Sequence, residues 1–371
     1  MTGSAATGMQ AEADAGKERP LFLVPHRLTG YSYVSELGRS YQELGIDVVY
    51  GPENLFESTT RFDVIHLQWP EDQYRGYGSG PTDKRAESFL RRLDEHKRKG
   101  TKLIWTVHNI VPHEYVGSDL DTKVYQEVID RADLIVHHCD DSIKLLAAAY
   151  TVPAVASVVV SFGNYAGYPD SVSRQEARKR LAIPQDAVVY LCFGALRGYK
   201  GFATLLRAYR RARVKGKFLV VAGYYTGAGG LKGKLGTLRL LLVDWLDRRA
   251  RLDLKMIDDH DVQTYFRAAD AVVLSHSRGL NSGVAVLGMT FGKIVIGPDL
   301  GCIGNVLRQG ENLIYTANDV SELAAAMERV PTLDLVRIEA TNKRVAGSWD
   351  WSIIARTILD ALDQHGVLSL S

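Results

Sequence analysis

The chain has 371 residues, 46% hydrophobic and 24% charged, with 45 Lys and Arg against 43 Asp and Glu. That length exceeds the roughly 250–300 residues at which single cores stop growing, so two domains are expected, and the near-neutral charge argues against a nucleic-acid binder. Cys139, Cys192 and Cys302 lie far apart with no C-x-x-C pair, which indicates neither a disulfide framework nor a zinc site and points to a reducing compartment.

Residues 1–19 are rich in Ala, Gly, Thr and Glu and read as a disordered tail without a signal-peptide core. Six short apolar runs follow: LFLVP, IDVVY, FDVIHL, KLIWTV, DLIVHH and SVVVS. Six more occupy the second half: VVYLCFG, FLVVAG, LDLKMI, DAVVLS, KIVIG and NLIY. They lack polar alternation, as strands buried on both faces of a parallel sheet do. Helix signals separate them, including one helix from near Thr82 to Gly100 and one opening at Asp319 with Glu322 three residues on. Alternating strand and helix predicts a doubly wound α/β architecture with two similar sheets. The seam falls in the Gly-, Ser- and Tyr-rich stretch 161–175. No apolar run approaches the roughly 18 residues of a membrane span; the nearest, LRLLLVDWL, is too short.

At this point the residues resemble a known group. The stretch VVYLCFGALRGYKGFATLLRAYRRA, residues 188–212, is similar to the opening of the donor domain in glycosyltransferase family four and its relatives. FDVIHLQWPE, WTVHNIVPHE and SFGNYAGYP resemble segments of bacterial exopolysaccharide glycosyltransferases, and SWDWSIIARTILDAL resembles their last helix. The resemblance implies a GT-B fold: two Rossmann-like doubly wound domains facing across a cleft, with a C-terminal helix crossing back. Residues 20–162 plus 350–371 would bind the acceptor, and 163–349 the donor. It implies a metal-independent hexosyltransferase without a cofactor, moving sugar from a UDP- or GDP-sugar to a glycan or lipid-linked acceptor. The implied setting is cytoplasmic, peripheral at the inner membrane face. Two other readings stay open: a nucleotide-sugar-binding sensor or scaffold without turnover, and a sugar-nucleotide epimerase of the same fold.

The donor site would be assembled from strand ends. Arg197 and Lys200, with Gly194, would hold the diphosphate, or else be solvated surface cations. The Asn281-Ser282-Gly283 turn would offer helix N–H groups to the same anion, or Asn281 or Ser282 would simply cap the helix. Ile257 and Asp258 are candidates for the nucleobase. Many relatives carry two glutamates eight residues apart here; those positions are Leu280 and Gly288 in this chain, so the stereochemical outcome is left undecided.

For the acceptor, His108 is first and Glu114 second as the general base, with His113 in the same loop. Trp69 suits stacking on a sugar and equally suits core packing. His26, Arg27, Gly30 and Tyr31 lie in a loop offered to the acceptor, where His26 and Arg27 would meet a lipid-linked phosphate or else be plain loop residues. SDLD at 118–121 contains a D-x-D, read as a helix cap at Ser118 or Asp119 and not as a metal site. The basic segment from Asp83 to Lys102 reads as an amphipathic helix with a solvated face, with attraction to an anionic membrane as the alternative.

Overall fold

The computed structural model describes residues 19–75, 82–113, 117–224 and 249–369. Glu114, LRLLLVDWL and all of the N-terminal tail except Arg19 lie outside these residues. Twelve strands form two sheets among the described residues, every ladder parallel. The first sheet comprises β1 (Leu21–Val24), β2 (Asp47–Tyr50), β3 (Val64–Leu67), β4 (Lys102–Thr106), β5 (Leu134–His137) and β6 (Ala156–Val159). The second comprises β7 (Val188–Phe193), β8 (Lys217–Ala222), β9 (Ala250–Asp253), β10 (Ala271–Val273), β11 (Ile294–Pro298) and β12 (Leu313–Tyr315).

The uniform apolar runs produce this because each central strand is covered by helices on both faces. β3, β5 and β10 are buried at every position. One run is displaced. The strand expected over LDLKMI ends at Asp253, whose carbonyl accepts from the amides of Gly223 and Lys255, and Leu254 and Met256 emerge onto an exposed turn.

The strand orders are β2-β1-β3-β4-β5-β6 and β12-β11-β10-β7-β8-β9. Connections reverse direction between β1 and β3 in the first sheet and between β10 and β7 in the second. Loops diverge at such switch points and leave a crevice beyond the strands' carboxyl ends.

Among the contacts between the halves, three links fix how they join. Gly163 (φ +87°) lies against the indole of Trp351, where a side chain would collide. Asn164 donates its amide and its side chain to the Trp349 carbonyl, both at 3.0 Å, and the Trp351 indole donates back to the Asn164 carbonyl at 2.7 Å. These bonds return the Trp351–Gln364 helix to the first sheet, where it packs on the Tyr33–Glu43 helix. The third link is covalent: Cys139, before the Asp140–Ala149 helix, is disulfide-bonded to Cys302 in the first turn of the Gly301–Arg308 helix.

The disulfide corrects the sequence reading. The two cysteines are 163 residues apart, and the fold alone brings both to the cleft, each at the start of a helix that follows a strand. The inference of a reducing compartment rested on unpaired cysteines and loses that support; Cys192 is the free, buried one.

Ser118 accepts from the Asp121 amide as the cap of the Asp119–Arg131 helix. Asp121 is buried and paired with Arg75 and Tyr74. The Asp83–Arg98 helix buries Ala86, Phe89, Leu93 and His96. Several of its cations are engaged by the protein itself: Arg92 with Glu95 and the Leu55 carbonyl, Lys97 with Asp133. No described helix is long and apolar enough to cross a membrane.

Candidate active site at the facing switch points

In the second sheet the crevice lies between the loops after β7 and β10. The β7 loop bends on Gly194 (φ +89°) and Gly201 (φ +62°), and a side chain at Gly201 would overlap the Ser275 carbonyl. Ser275 Oγ donates to the Lys200 carbonyl at 2.6 Å. Ser277 donates to the Tyr199 carbonyl through its amide (2.8 Å) and hydroxyl (2.9 Å). The two loops are therefore one rigid unit.

Lys200 Nζ, Val284 at the start of the Gly283–Thr290 helix, and Gly194 converge. A Cβ built on Gly194 would lie 3.5 Å from Lys200 Nζ and 3.4 Å from Val284 Cγ2. Burial pushes the Lys200 pKa down to about 8, and it makes no ion pair among the described residues. His276, 4% exposed, has no partner for Nδ1; burial, then the Lys200 charge, hold its pKa near 3. The helix start is not closed by a side chain, because Ser282 occupies the cap position without a capping hydrogen bond. A desolvated ammonium, an uncapped helix start and bare glycine backbone together suit an anion.

Asn281 is engaged elsewhere: its side-chain amide donates to the His108 carbonyl at 3.0 Å, clipping the two halves together. Gly283 faces the Tyr165 hydroxyl. Arg197 is partly exposed beside Tyr199. Asp258 caps the next helix through the His260 amide, and Ile257 packs on the core. At the two positions where a glutamate pair would fall, Leu280 is 2% exposed within the first sheet's core cluster. Gly288 is pressed on Val295 and Val272, with Cβ contacts of 2.9 and 3.3 Å. Gly288 has no room for a side chain, and Leu280 puts an apolar one in the other place.

The first sheet presents rings. His26 Nε2 accepts from the Gln68 amide at 3.2 Å, which ties the β1 loop to the β3 loop, and its ring packs edge-on to Trp69. Trp69 stacks on His108 with centroids 4.3 Å apart. His108 is 3% exposed, shares a hydrogen bond with Gln68 Oε1 at 2.8 Å, and has its pKa driven well below the usual histidine value by burial. Arg27 is exposed, Gly30 (φ +39°) abuts Asp259 of the second half, and Tyr31 packs on Tyr168 at 4.7 Å.

A pair that no spacing rule connects lies beside them. Glu71 is 4% exposed. It meets His113 Nδ1 at 3.0 Å and accepts from the Tyr125 hydroxyl at 2.7 Å. Burial alone would raise its carboxyl; the His113 and Tyr125 contacts outweigh that and bring it down to about 2. Among the described residues no group of three or more His, Cys, Asp or Glu side chains is placed to hold a metal ion.

Residues 187–332 match the family model for glycosyl transferases group 1. The chain is 23% identical over 323 residues to a GDP-mannose:glycolipid 4-beta-D-mannosyltransferase of Xanthomonas campestris, covering 84% of this chain and 83% of that one. It is 24% identical to a D-inositol 3-phosphate glycosyltransferase of a Nocardioides species, over 63% of this chain but only 54% of that enzyme, so it spans about half of that relative's length. Two solved structures share the fold. Anabaena HepE with UDP and glucose has a TM-score of 0.73 at 16% identity, covering 94% of this chain and all of that one. Sucrose-phosphate synthase of Thermosynechococcus elongatus has a TM-score of 0.72 at 17% identity, covering 95% of this chain and all of that one. The architecture is GT-B.

Proposed function

We propose that this chain, whose second half carries a glycosyl transferases group 1 domain on a GT-B fold, moves a sugar from a nucleoside diphosphate sugar to an acceptor hydroxyl. The observation that carries the reading is the convergence of Lys200, Gly194 and the uncapped start of the Gly283–Thr290 helix at the second sheet's switch point. A diphosphate is the leaving group of this reaction, and fixed positive potential aimed at its growing charge is a large catalytic term. Lys200 and the helix amides would hold it, with Arg197 at the outer side. The sugar would then project from the diphosphate toward the Trp69–His108 wall. The solved HepE complex with UDP and glucose supports a uridine donor; the mannosyltransferase name supports a guanosine donor and a glycolipid acceptor. The rigid loops need no metal to bring charge to the phosphates.

Calorimetry with UDP, GDP and ADP tests this. One nucleoside diphosphate should bind wild-type protein, and Lys200→Ala should lose most of that affinity. A wild-type protein that binds none of the three would sink the transferase reading.

A further inference from the structure

We propose that His113, oriented by Glu71, takes the proton from the acceptor hydroxyl, and that the acceptor carries an apolar portion seated in the cavity beside His113. The proposal rests on the transferase reading and deepens it.

The geometry begins with the cavity. A space of about 490 Å³ lies between the halves, walled by Ile110, Val111, Pro112, Leu145, Leu280 and Leu300. Polar groups enter it from two sides. Asn109 and His113 come from the β4 loop; Tyr199, Ser277 and Arg278 come from the loops that also hold Lys200. A molecule in this cavity therefore sits next to the donor diphosphate cluster. Its walls are fixed: the Tyr150 hydroxyl donates to the Ile110 carbonyl at 2.9 Å, and Asn281 ties the His108 carbonyl to the opposite side. Mostly apolar walls with a few convergent polar groups select a ligand that is apolar with one reactive end.

Most of the protein's histidines are buried and cannot meet such a ligand. His26, His66, His96, His108, His137, His138 and His276 are each at most 6% exposed. His260 and His365 are exposed and do not line the cavity. His113 is different, with a side chain 28% exposed and facing the cavity. Its Nδ1 is 3.0 Å from the Glu71 carboxylate, which fixes the tautomer with Nδ1–H donating to Glu71 and leaves the lone pair on Nε2. Asn109 Nδ2 lies 3.3 Å from Nδ1 and 3.2 Å from Nε2, nearly equidistant from the two and so over the ring, which leaves the in-plane Nε2 lone pair for an acceptor hydroxyl. Glu71 is held by Tyr125 from the Asp119–Arg131 helix, so the carboxylate cannot swing away.

The step balances without a further reactant. Nε2 removes the hydroxyl proton as that oxygen bonds to the donor's anomeric carbon. The bond from that carbon to the diphosphate oxygen breaks, and its electron pair leaves with the diphosphate toward Lys200. The proton rests on His113 as imidazolium, facing the Glu71 carboxylate. Glu71 is a positioning residue; His113 is the catalytic one.

The test uses UDP-glucose and GDP-mannose as donors and octyl or methyl β-glucoside as acceptor. His113→Ala should lose about 10²–10⁴-fold in turnover, with UDP and GDP binding by calorimetry unchanged. Glu71→Gln should lose less, with the whole loss in kcat and the acceptor KM unchanged, and Glu71→Asp should recover part of it. Diethylpyrocarbonate labelling read by mass spectrometry reports the cavity without turnover: octyl glucoside should shield His113, and methyl glucoside should not. Wild-type turnover in His113→Ala with normal nucleotide binding overturns the base assignment, and a Glu71→Gln loss confined to the acceptor KM overturns the positioning role. Equal shielding by the two glucosides, or none by either, overturns the apolar acceptor. Failure of every nucleotide to bind wild type is the separate failure of the transferase reading.

Discussion

The two switch points face each other across the cleft and are finished in opposite ways. The first sheet ends in stacked rings: Trp69 on His108, with Tyr33, His138 and Phe162 packed around them. The second ends in glycines, serine clips and a lone ammonium, with side chains kept short so that backbone can approach a ligand. One wall offers shape and the other offers charge. A group-transfer site needs both, because the part that leaves is ionic and the part that receives must be held by contact. The same strand-loop-helix unit serves either end, and the difference lies in a few residues after the last strand position.

Of the changes that break the contrast between the two walls, removing charge should have the largest effect. Lys200→Ala is expected to lower turnover by about 10²–10³-fold, measured on protein whose melting curve matches wild type. An undiminished rate would place the ammonium outside the reaction and erase the contrast between the walls.

His108→Ala strikes the other wall. The ring is buried under Trp69, so its loss should cost about 2–4 kcal/mol of stability through a cavity, read by denaturant unfolding. Turnover per folded molecule should fall less than in His113→Ala. The reverse order would return the proton to His108.

Cys302→Ser removes the link between the walls. Cross-linking positions 163 residues apart restricts the unfolded chain, and its loss is expected to cost about 2–4 kcal/mol. Small-angle scattering should then show compaction on nucleotide binding in the variant and a smaller change in the oxidised protein. Identical scattering changes would show that the bond does not restrain closure.

The smallest effect is in pH. Burial holds the Lys200 pKa at about 8 in the free protein, below the ordinary lysine value of 10.5. Between these values the unfolded chain binds more protons, so this group's contribution to stability rises with pH across that window. Nucleotide affinity runs the other way and should weaken by severalfold as pH passes from 7 to 9 and the ammonium discharges. His276 and the Cys192 thiol stay neutral there, with pKa values near 3 and 11. Lys200→Arg, which stays charged, should flatten the curve.

Much of this could be read from the chain. The apolar runs located the strands because burial on both faces leaves no alternation to misread, and VVYLCFGALRGYKG gave the charged wall because its residues are contiguous. The ring wall was only half legible. His108 drew attention as the residue nearest the strand end, yet that same place buries it under Trp69. The Glu71–His113 pair joins positions 42 residues apart that follow different strands, and no local period encodes such a meeting. The cysteine pairing failed for the same reason over a longer distance. Asn281 looked like a ligand from its turn, but its partner carbonyls belong to the opposite half.

The disulfide also has a consequence for motion. While it is intact, Cys139 and Cys302 stay 5.6 Å apart at their Cα atoms, so that point of the cleft rim is stationary. The crossing at Asn164 and Trp349 is a second stationary point. Two fixed points define a line, and rotation of the halves about it would first have to break the Asn281 hydrogen bond to the His108 carbonyl. A jaw hinged at one end gapes; a body pinned at both can only roll, admitting ligand along its flanks.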